Sequence, residues 1–201
     1  NCRHSKVDGL IYASSSSVYG GNKKIPFSIT DKVNNPISLY GATKLSNELI
    51  SNSYSYLYGL HTTGLRYFTV YGPWGRPDMA IYIFTTKIIA GEPIPVFNHG
   101  KMKRDFTFID DIVSGTRAAI DKNYKCEVFN LGNSSSQKLL DVINLIEKEL
   151  NTKAIIDFKP MQPGDAEESF ADIEYSKEKL SFLPETSIDI GITKFIDWYK
   201  K

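Results

Sequence analysis

Tyr40 and Lys44 stand four residues apart in Tyr-Gly-Ala-Thr-Lys, and a run of four serines, Ser14 to Ser17, precedes them by roughly two dozen positions. Residues i and i+4 share one face of a helix, so the Lys44 ammonium can stand beside the Tyr40 phenol. A positive neighbour favours phenolate and lowers a phenol's pKa from its reference of about 10 toward neutrality. A tyrosine tuned in that way can take a proton from an alcohol and later return it. A serine hydroxyl reaching the same oxygen completes an acid–base triad. By itself, Tyr-x-x-x-Lys describes a solvated surface pair equally well, so its surroundings must decide.

Those surroundings read as α/β. Gly9 to Ala13 is a buried strand, continuous in apolar residues as in a parallel sheet, with the serines at its carboxyl end, where open α/β sheets bind ligands. Residues 20–36, rich in Gly, Pro and Asn, read as a loop. Ser38 to Tyr58 is expected to be a helix, with Tyr40 in its first turn, Leu45, Leu49 and Ile50 at helical spacing, and Gly59 as its stop. His61 to Val70 is the next strand, and Gly72 to Asp78 a loop. Ile81 to Ala90 is a helix ended by Gly91, and Ile94 to Phe97 a short strand. Arg104 to Ile109 is a strand leading into a helix capped by Asp110 or Asp111 and running through Ile120. Glu127 to Leu131 is strand-like, Ser134 to Leu150 an amphipathic helix, Ala154 to Phe158 a strand, and the last dozen residues a helix. Asn1 to Lys6 reads as the tail of a helix. The order suggests part of a doubly wound domain followed by a small mixed α/β lobe.

The bulk numbers leave few other classes open. A chain of 201 residues with 41% hydrophobic and 23% charged residues can bury one good core or two small ones. A net charge of +1 gives no reason to expect nucleic acid or an anionic membrane as partner, while leaving room for local positive charge. Cys2 and Cys126 are too few for a disulfide framework, which points to a reducing cytosol. No stretch has the form of a signal peptide, and no apolar run reaches transmembrane length, so a cytoplasmic protein is expected.

Five segments together carry a resemblance: Tyr12-Ala-Ser-Ser-Ser-Ser-Val-Tyr-Gly20, Tyr40-Gly-Ala-Thr-Lys44, Leu65-Arg-Tyr-Phe-Thr-Val-Tyr-Gly-Pro73, Arg104-Asp-Phe-Thr-Phe-Ile-Asp-Asp111 and Pro163-Gly-Asp165. In order and spacing they resemble the extended short-chain dehydrogenase/reductases, and among them the NAD-dependent nucleotide-sugar 4-epimerases. Thr69 to Met79 looks most like the UDP-glucuronate 4-epimerases. The resemblance implies the C-terminal part of a Rossmann-type doubly wound parallel sheet plus a small mixed α/β substrate-binding lobe. Residues 1–75 would be the remainder of the NAD-binding domain with its catalytic helix. Residues 76–201 would mainly form the UDP-sugar lobe, with some segments returning to the Rossmann core. That family begins with a strand, a glycine-rich turn and a helix that hold the NAD pyrophosphate. No such segment occurs here, so a preceding segment is expected in the intact protein.

The same resemblance distributes roles. Tyr40 would be the general base and acid at the sugar O4, Lys44 its electrostatic partner and a ligand of the nicotinamide ribose, and Ser15 the hydroxyl that shares the proton. Tyr67 and Phe68 would wall the nicotinamide pocket. Thr69, Ser16, Ser17 and Arg76 would surround a C6 carboxylate, for which a planar guanidinium is suited. Arg104 would contact the diphosphate, and Asp165 would lie near the uridine ribose. Two bland alternatives are an Arg76–Asp78 rim pair and an Arg104 ion pair with Asp105 or Asp110. Ser14 reads as turn chemistry. The related dehydratases carry an Asp-Glu pair at the positions of Ser16 and Ser17, and the related decarboxylases a Glu at the second. Hydroxyls cannot replace those acids, so epimerisation is favoured over elimination or decarboxylation. Epimerases of neutral UDP-hexoses, a UDP-glucuronate decarboxylase, and a non-catalytic UDP-sugar-binding fragment are the alternatives. A homodimer packed through helices including that of Tyr40 is implied as well.

Overall fold

A computed structural model describes residues 1–201. Asn1 to Lys6 forms turns rather than the expected helix tail. The chain then enters β1 (Leu10–Ser15), a 3-10 turn (Ser16–Tyr19), and, after a long loop, α1 (Leu39–Tyr58). β2 (Thr62–Tyr67), β3 (Thr69–Tyr71), α2 (Ala80–Ala90) and β4 (Ile94–Val96) follow. Next come β5 (Lys103–Arg104), β6 (Phe106–Phe108), α3 (Ile109–Lys122), β7 (Cys126–Leu131) and β8 (Gln137–Lys138). The chain closes with α4 (Leu139–Leu150), β9 (Ile156–Phe158), β10 (Glu168–Ser169), α5 (Glu174–Leu180) and α6 (Ile188–Tyr199).

The central sheet is parallel, in the order β1-β2-β7. Small two- and three-stranded sheets, β3-β6, β4-β9 and β10-β5-β8, build the remainder. The buried side chains gather into two groups. One, around Phe129, Leu131 and Phe182, holds the central sheet. The other, around Phe106, Ile143 and Phe195, joins α2, α4 and α6. No helix is long and apolar enough to cross a membrane.

Two runs expected as single strands are broken because the chain changes sheets. The first breaks at Phe68, whose N–H still donates to Leu131 O, while the Thr69 N–H donates to Asp105 O and β3 pairs with β6. The second breaks at Asp105, which is fully buried. Its carboxylate accepts the backbone N–H of Asn133, Ser134 and Ala171 and the Thr107 hydroxyl, pinning three chain segments at one point. Asp110 and Asp111 are not caps; both lie in the first turn of α3. Asp111 instead accepts the N–H groups of Glu185 and Thr186. Helix α4 starts at Leu139 rather than Ser134, because residues 137–138 pair antiparallel with β5. Sequence periodicity did not announce α5 or β10.

Helix α1 has the expected ends. The Ser38 hydroxyl accepts the Gly41 N–H, and Gly59 closes the helix at φ 66°. Of its three apolar residues at helical spacing, only Leu45 packs on the core. The residues buried against the sheet are Gly41, Glu48, Ser51 and Ser55, whereas Leu49 and Ile50 point to the outside. Gly41 is required by a close approach: a Cβ there would stand 2.6 Å from the Ser17 carbonyl oxygen. The first turn of α1 therefore rests directly on the serine turn.

Candidate functional site

A cleft of about 720 Å³ opens at the carboxyl ends of β1 and β2. It gathers residues far apart in the chain, among them Ser14 to Ser17, Tyr40 and Lys44, Tyr67 to Arg76, Arg104, and Asp165. Every residue proposed from sequence for catalysis, substrate or cofactor thus lies on its wall.

Tyr40 and Lys44 face the cleft together. The Lys44 ammonium lies 5.6 Å from the centre of the Tyr40 ring and donates one hydrogen bond to Ala13 O at 2.9 Å. Two of its three N–H groups remain for a ligand. Tyr40 is half exposed, at 53%. Ser15 ends β1 and caps the 3-10 turn, accepting the Ser17 N–H at 3.1 Å and donating to Ser17 Oγ at 3.2 Å. No acidic residue stands in that turn, so its only side-chain donors and acceptors are hydroxyls.

The Tyr67 phenol is held by Thr116 at 3.0 Å, and burial pushes it above its ordinary pKa. Tyr67 is therefore a wall rather than an acid. Phe68 packs beside Phe27 and Tyr19. Arg104 donates to Asp165 at 2.9 Å and to the carbonyls of Lys103 and Glu167. Its acidic partner is thus Asp165 rather than Asp105 or Asp110, and two residues expected on the nucleotide are joined to each other. Arg76 takes the rim position: its side chain is 71% exposed and grips Asp78 through two nitrogens. The Asp78 hydrogen bonds hold the Arg76 guanidinium above its ordinary pKa, and Arg76 in turn holds Asp78 below its own. Beside it, Trp74 adopts a positive φ of 61° and lies 5.4 Å, ring to ring, from Trp198. The cleft wall thus carries three cations, Arg104 paired with Asp165, Arg76 paired at the rim with Asp78, and Lys44 with no acidic partner. That balance suits an anionic ligand.

Ser14 is not the turn residue expected. It lies within β1, buried, and donates to Glu48. Glu48 also binds Arg66 through both its carboxylate oxygens, and Arg66 reaches Tyr19, which donates to Asn130. Burial pulls the Arg66 guanidinium down, but Glu48 and Tyr19 more than reverse this and leave it above its ordinary value. Burial also drives the Tyr19 phenol up. Sequence reasoning passed over this group. Its one available signal was an acid at position i+8 from Tyr40, in line with Lys44 on the helix.

Residues 1–132 match the family described as "NAD dependent epimerase/dehydratase family". An uncharacterized protein of Methanocaldococcus jannaschii is 51% identical over 98% of this chain and 60% of its own length. UDP-glucuronate 4-epimerase 4 of Arabidopsis thaliana is 45% identical over 94% of this chain and 47% of its own. Among solved structures, UDP-glucuronic acid 4-epimerase from Bacillus cereus, in complex with UDP-glucuronic acid and NAD, superposes with a TM-score of 0.93 at 38% identity, over 99% of this chain and 63% of that one. The chain accordingly spans about half to two thirds of the length of these relatives.

Proposed function

The chain belongs to the NAD-dependent epimerase/dehydratase family, and from that premise we propose that the intact protein epimerises a UDP-sugar at C4, converting UDP-glucuronate to UDP-galacturonate. The observation that carries the reading is the cleft itself. It brings Tyr40, Lys44 and Ser15 into one space with Arg76, Arg104 and Asp165. Residues 1–75 supply the acid–base helix and the cofactor wall, and residues 76–201 mainly the sugar-nucleotide side.

The cleft fits the nicotinamide end of NAD. Tyr67 and Phe68 line it, and Lys44 keeps two donors for a ribose hydroxyl. When bound, NAD supplies the acceptor and donor of the C4 hydride. The chain's own residues manage the proton and the position. Tyr40 removes the O4 proton as C4 is oxidised and returns it when the 4-keto sugar is reduced on its other face. Ser15 holds O4, and the Lys44 ammonium stands 5.6 Å from the centre of the Tyr40 ring. Arg104 binds the diphosphate and Asp165 the uridine ribose.

The uronate carboxylate is met by Thr69, Ser16, Ser17 and Arg76. A 4-keto uronate is a β-keto acid and loses CO₂ when the carboxylate bond aligns with the carbonyl π system. Hydroxyls and a guanidinium that hold the carboxylate out of that alignment favour epimerisation. An ion pair as exposed as Arg76–Asp78 contributes little, so Arg76 can exchange Asp78 for the substrate at little cost. The outward face of α1 exposes Leu39, Leu49, Ile50 and Leu57, an apolar stripe that a second copy of the protein would cover in a homodimer.

The test is direct. The intact protein, incubated with NAD and UDP-glucuronate, yields UDP-galacturonate by proton NMR. Formation of a C4 epimer only from UDP-glucose or UDP-N-acetylglucosamine would move the substrate to a neutral hexose. Release of CO₂ would make the protein a decarboxylase, and no product from any of these would leave a UDP-sugar-binding protein.

A further inference from the structure

Resting on that acid–base reading of Tyr40, Lys44 and Ser15, we propose that the buried Glu48–Arg66 pair is a positioning device that holds the tyrosine helix in register with the serine turn, and so sets the chemical step rather than substrate affinity. Ser14, Arg66 and Asn130 are in direct register across three parallel strands, β1, β2 and β7. In-register residues of parallel strands project to the same face, so the three form a polar row at the carboxyl end of the central sheet. Glu48 comes down on this row from α1. Its Oε1 accepts Ser14 Oγ and Arg66 Nε, the latter at 2.9 Å, and its Oε2 accepts Arg66 Nη2 at 2.7 Å. Arg66 Nη1 donates to Tyr19 Oη at 3.0 Å, and that hydroxyl donates to Asn130 Oδ1 at 2.7 Å. Asn130 Nδ2 ends the chain of bonds on the carbonyls of Phe27 and Asp172.

Adhesion alone does not call for charge here. Apolar side chains of similar volume hold a core as well as a buried ion pair, or better. What they lack is direction. A two-point guanidinium–carboxylate bond fixes the rotation and height of one element against another. Lys44 and Glu48, one helical turn apart, grip successive residues of β1, the Ala13 carbonyl and the Ser14 hydroxyl. The next residue is Ser15, and Tyr19 closes the turn that carries Ser16 and Ser17. Any slide of α1 along β1 therefore breaks several charge-assisted bonds at once. Glu48, Arg66, Tyr19 and Asn130 are absent from the cleft wall, so the pair acts through Tyr40, Lys44 and Ser15.

The experiment uses the intact protein and three variants, Glu48→Gln, Arg66→Lys and the apolar double Glu48→Leu/Arg66→Met. We expect the two conservative variants to lose about 10- to 100-fold in kcat, with KM and the calorimetric Kd for UDP within about twofold of wild type. The double variant should recover the melting temperature while kcat stays low. Hydrogen exchange at residues 39–44 should speed up about tenfold in Glu48→Gln, with α6 unchanged. Wild-type kcat in a double variant that melts like the wild type overturns the proposal. Should the double variant fail to fold, wild-type kcat in Glu48→Gln does the same. If the wild-type protein makes no C4 epimer, the acid–base reading fails, but the exchange measurement still decides whether the pair holds the helix; unchanged exchange rejects it.

Discussion

Replacing Gly41 with alanine should separate stability from catalysis. Gly41 follows Tyr40 and lies where α1 meets the serine turn. A Cβ built there stands 2.6 Å from the Ser17 carbonyl oxygen and 3.2 Å from Ser17 C and Ser38 Oγ. The nearest atoms are backbone, so the helix start or the turn must yield by roughly half an ångström, an overpacking cost of about 1–3 kcal/mol. Alanine returns about 1 kcal/mol through its helix propensity. The net loss is about 0–2 kcal/mol, a fall of no more than about 8 °C in melting temperature for a chain of this size. The catalytic effect is larger. A misplacement of about 1 Å costs on the order of a hundredfold, so half that shift between Tyr40 and Ser15 should lower kcat roughly tenfold or more. Steady-state epimerisation by the intact variant, beside a thermal melt and a UDP titration, reads all three quantities. A kcat within twofold of wild type, with the variant folded, would refute the claim that this contact sets the acid–base geometry.

Tyr40→Phe removes the proton carrier and leaves the cleft shape alone. We expect epimerisation to fall by about 10²–10⁴-fold, while UDP titrates as in the wild type. Arg76→Ala should raise KM for UDP-glucuronate about three- to tenfold and leave any neutral UDP-hexose unaffected; equal effects on both, in parallel kinetics, would take Arg76 off the carboxylate. Asp105→Asn keeps one acceptor oxygen and turns an amide against backbone N–H donors. Two orphaned donors cost about 2–5 kcal/mol, measurable by urea unfolding. Thr85→Val should stabilise by about 1 kcal/mol, because the Thr85 hydroxyl is buried without a partner.

The residues that line the cleft were legible in part from local patterns and in part from the family resemblance. The four-residue spacing of Tyr40 and Lys44 works on any helix, Ser38 and Gly59 delimit that helix by capping chemistry, and an apolar strand that ends in serines announces a parallel sheet with its ligand at the carboxyl edge. Arg76 and Arg104 were legible as cations, yet their acidic partners were not equally so. Asp78 lies two residues from Arg76, whereas Asp165 reaches Arg104 only through the folded chain.

Long-range contacts decided the rest. The breaks at Phe68 and Asp105 arise where a strand changes neighbours, an event that leaves no local periodicity. Which face of α1 turns inward was a tertiary choice too. Apolar spacing pointed to Leu45, Leu49 and Ile50; Leu45 does pack on the core, but the sheet also presents a polar row, so Glu48 packs inside and Leu49 and Ile50 stay outside. Burying a carboxylate demands a charged partner, and that partner, Arg66, comes from strand β2, 18 positions along the chain. Local order could place Tyr40 and Lys44 on one helix face, and only the assembled sheet could supply the Arg66 that binds Glu48 of that helix.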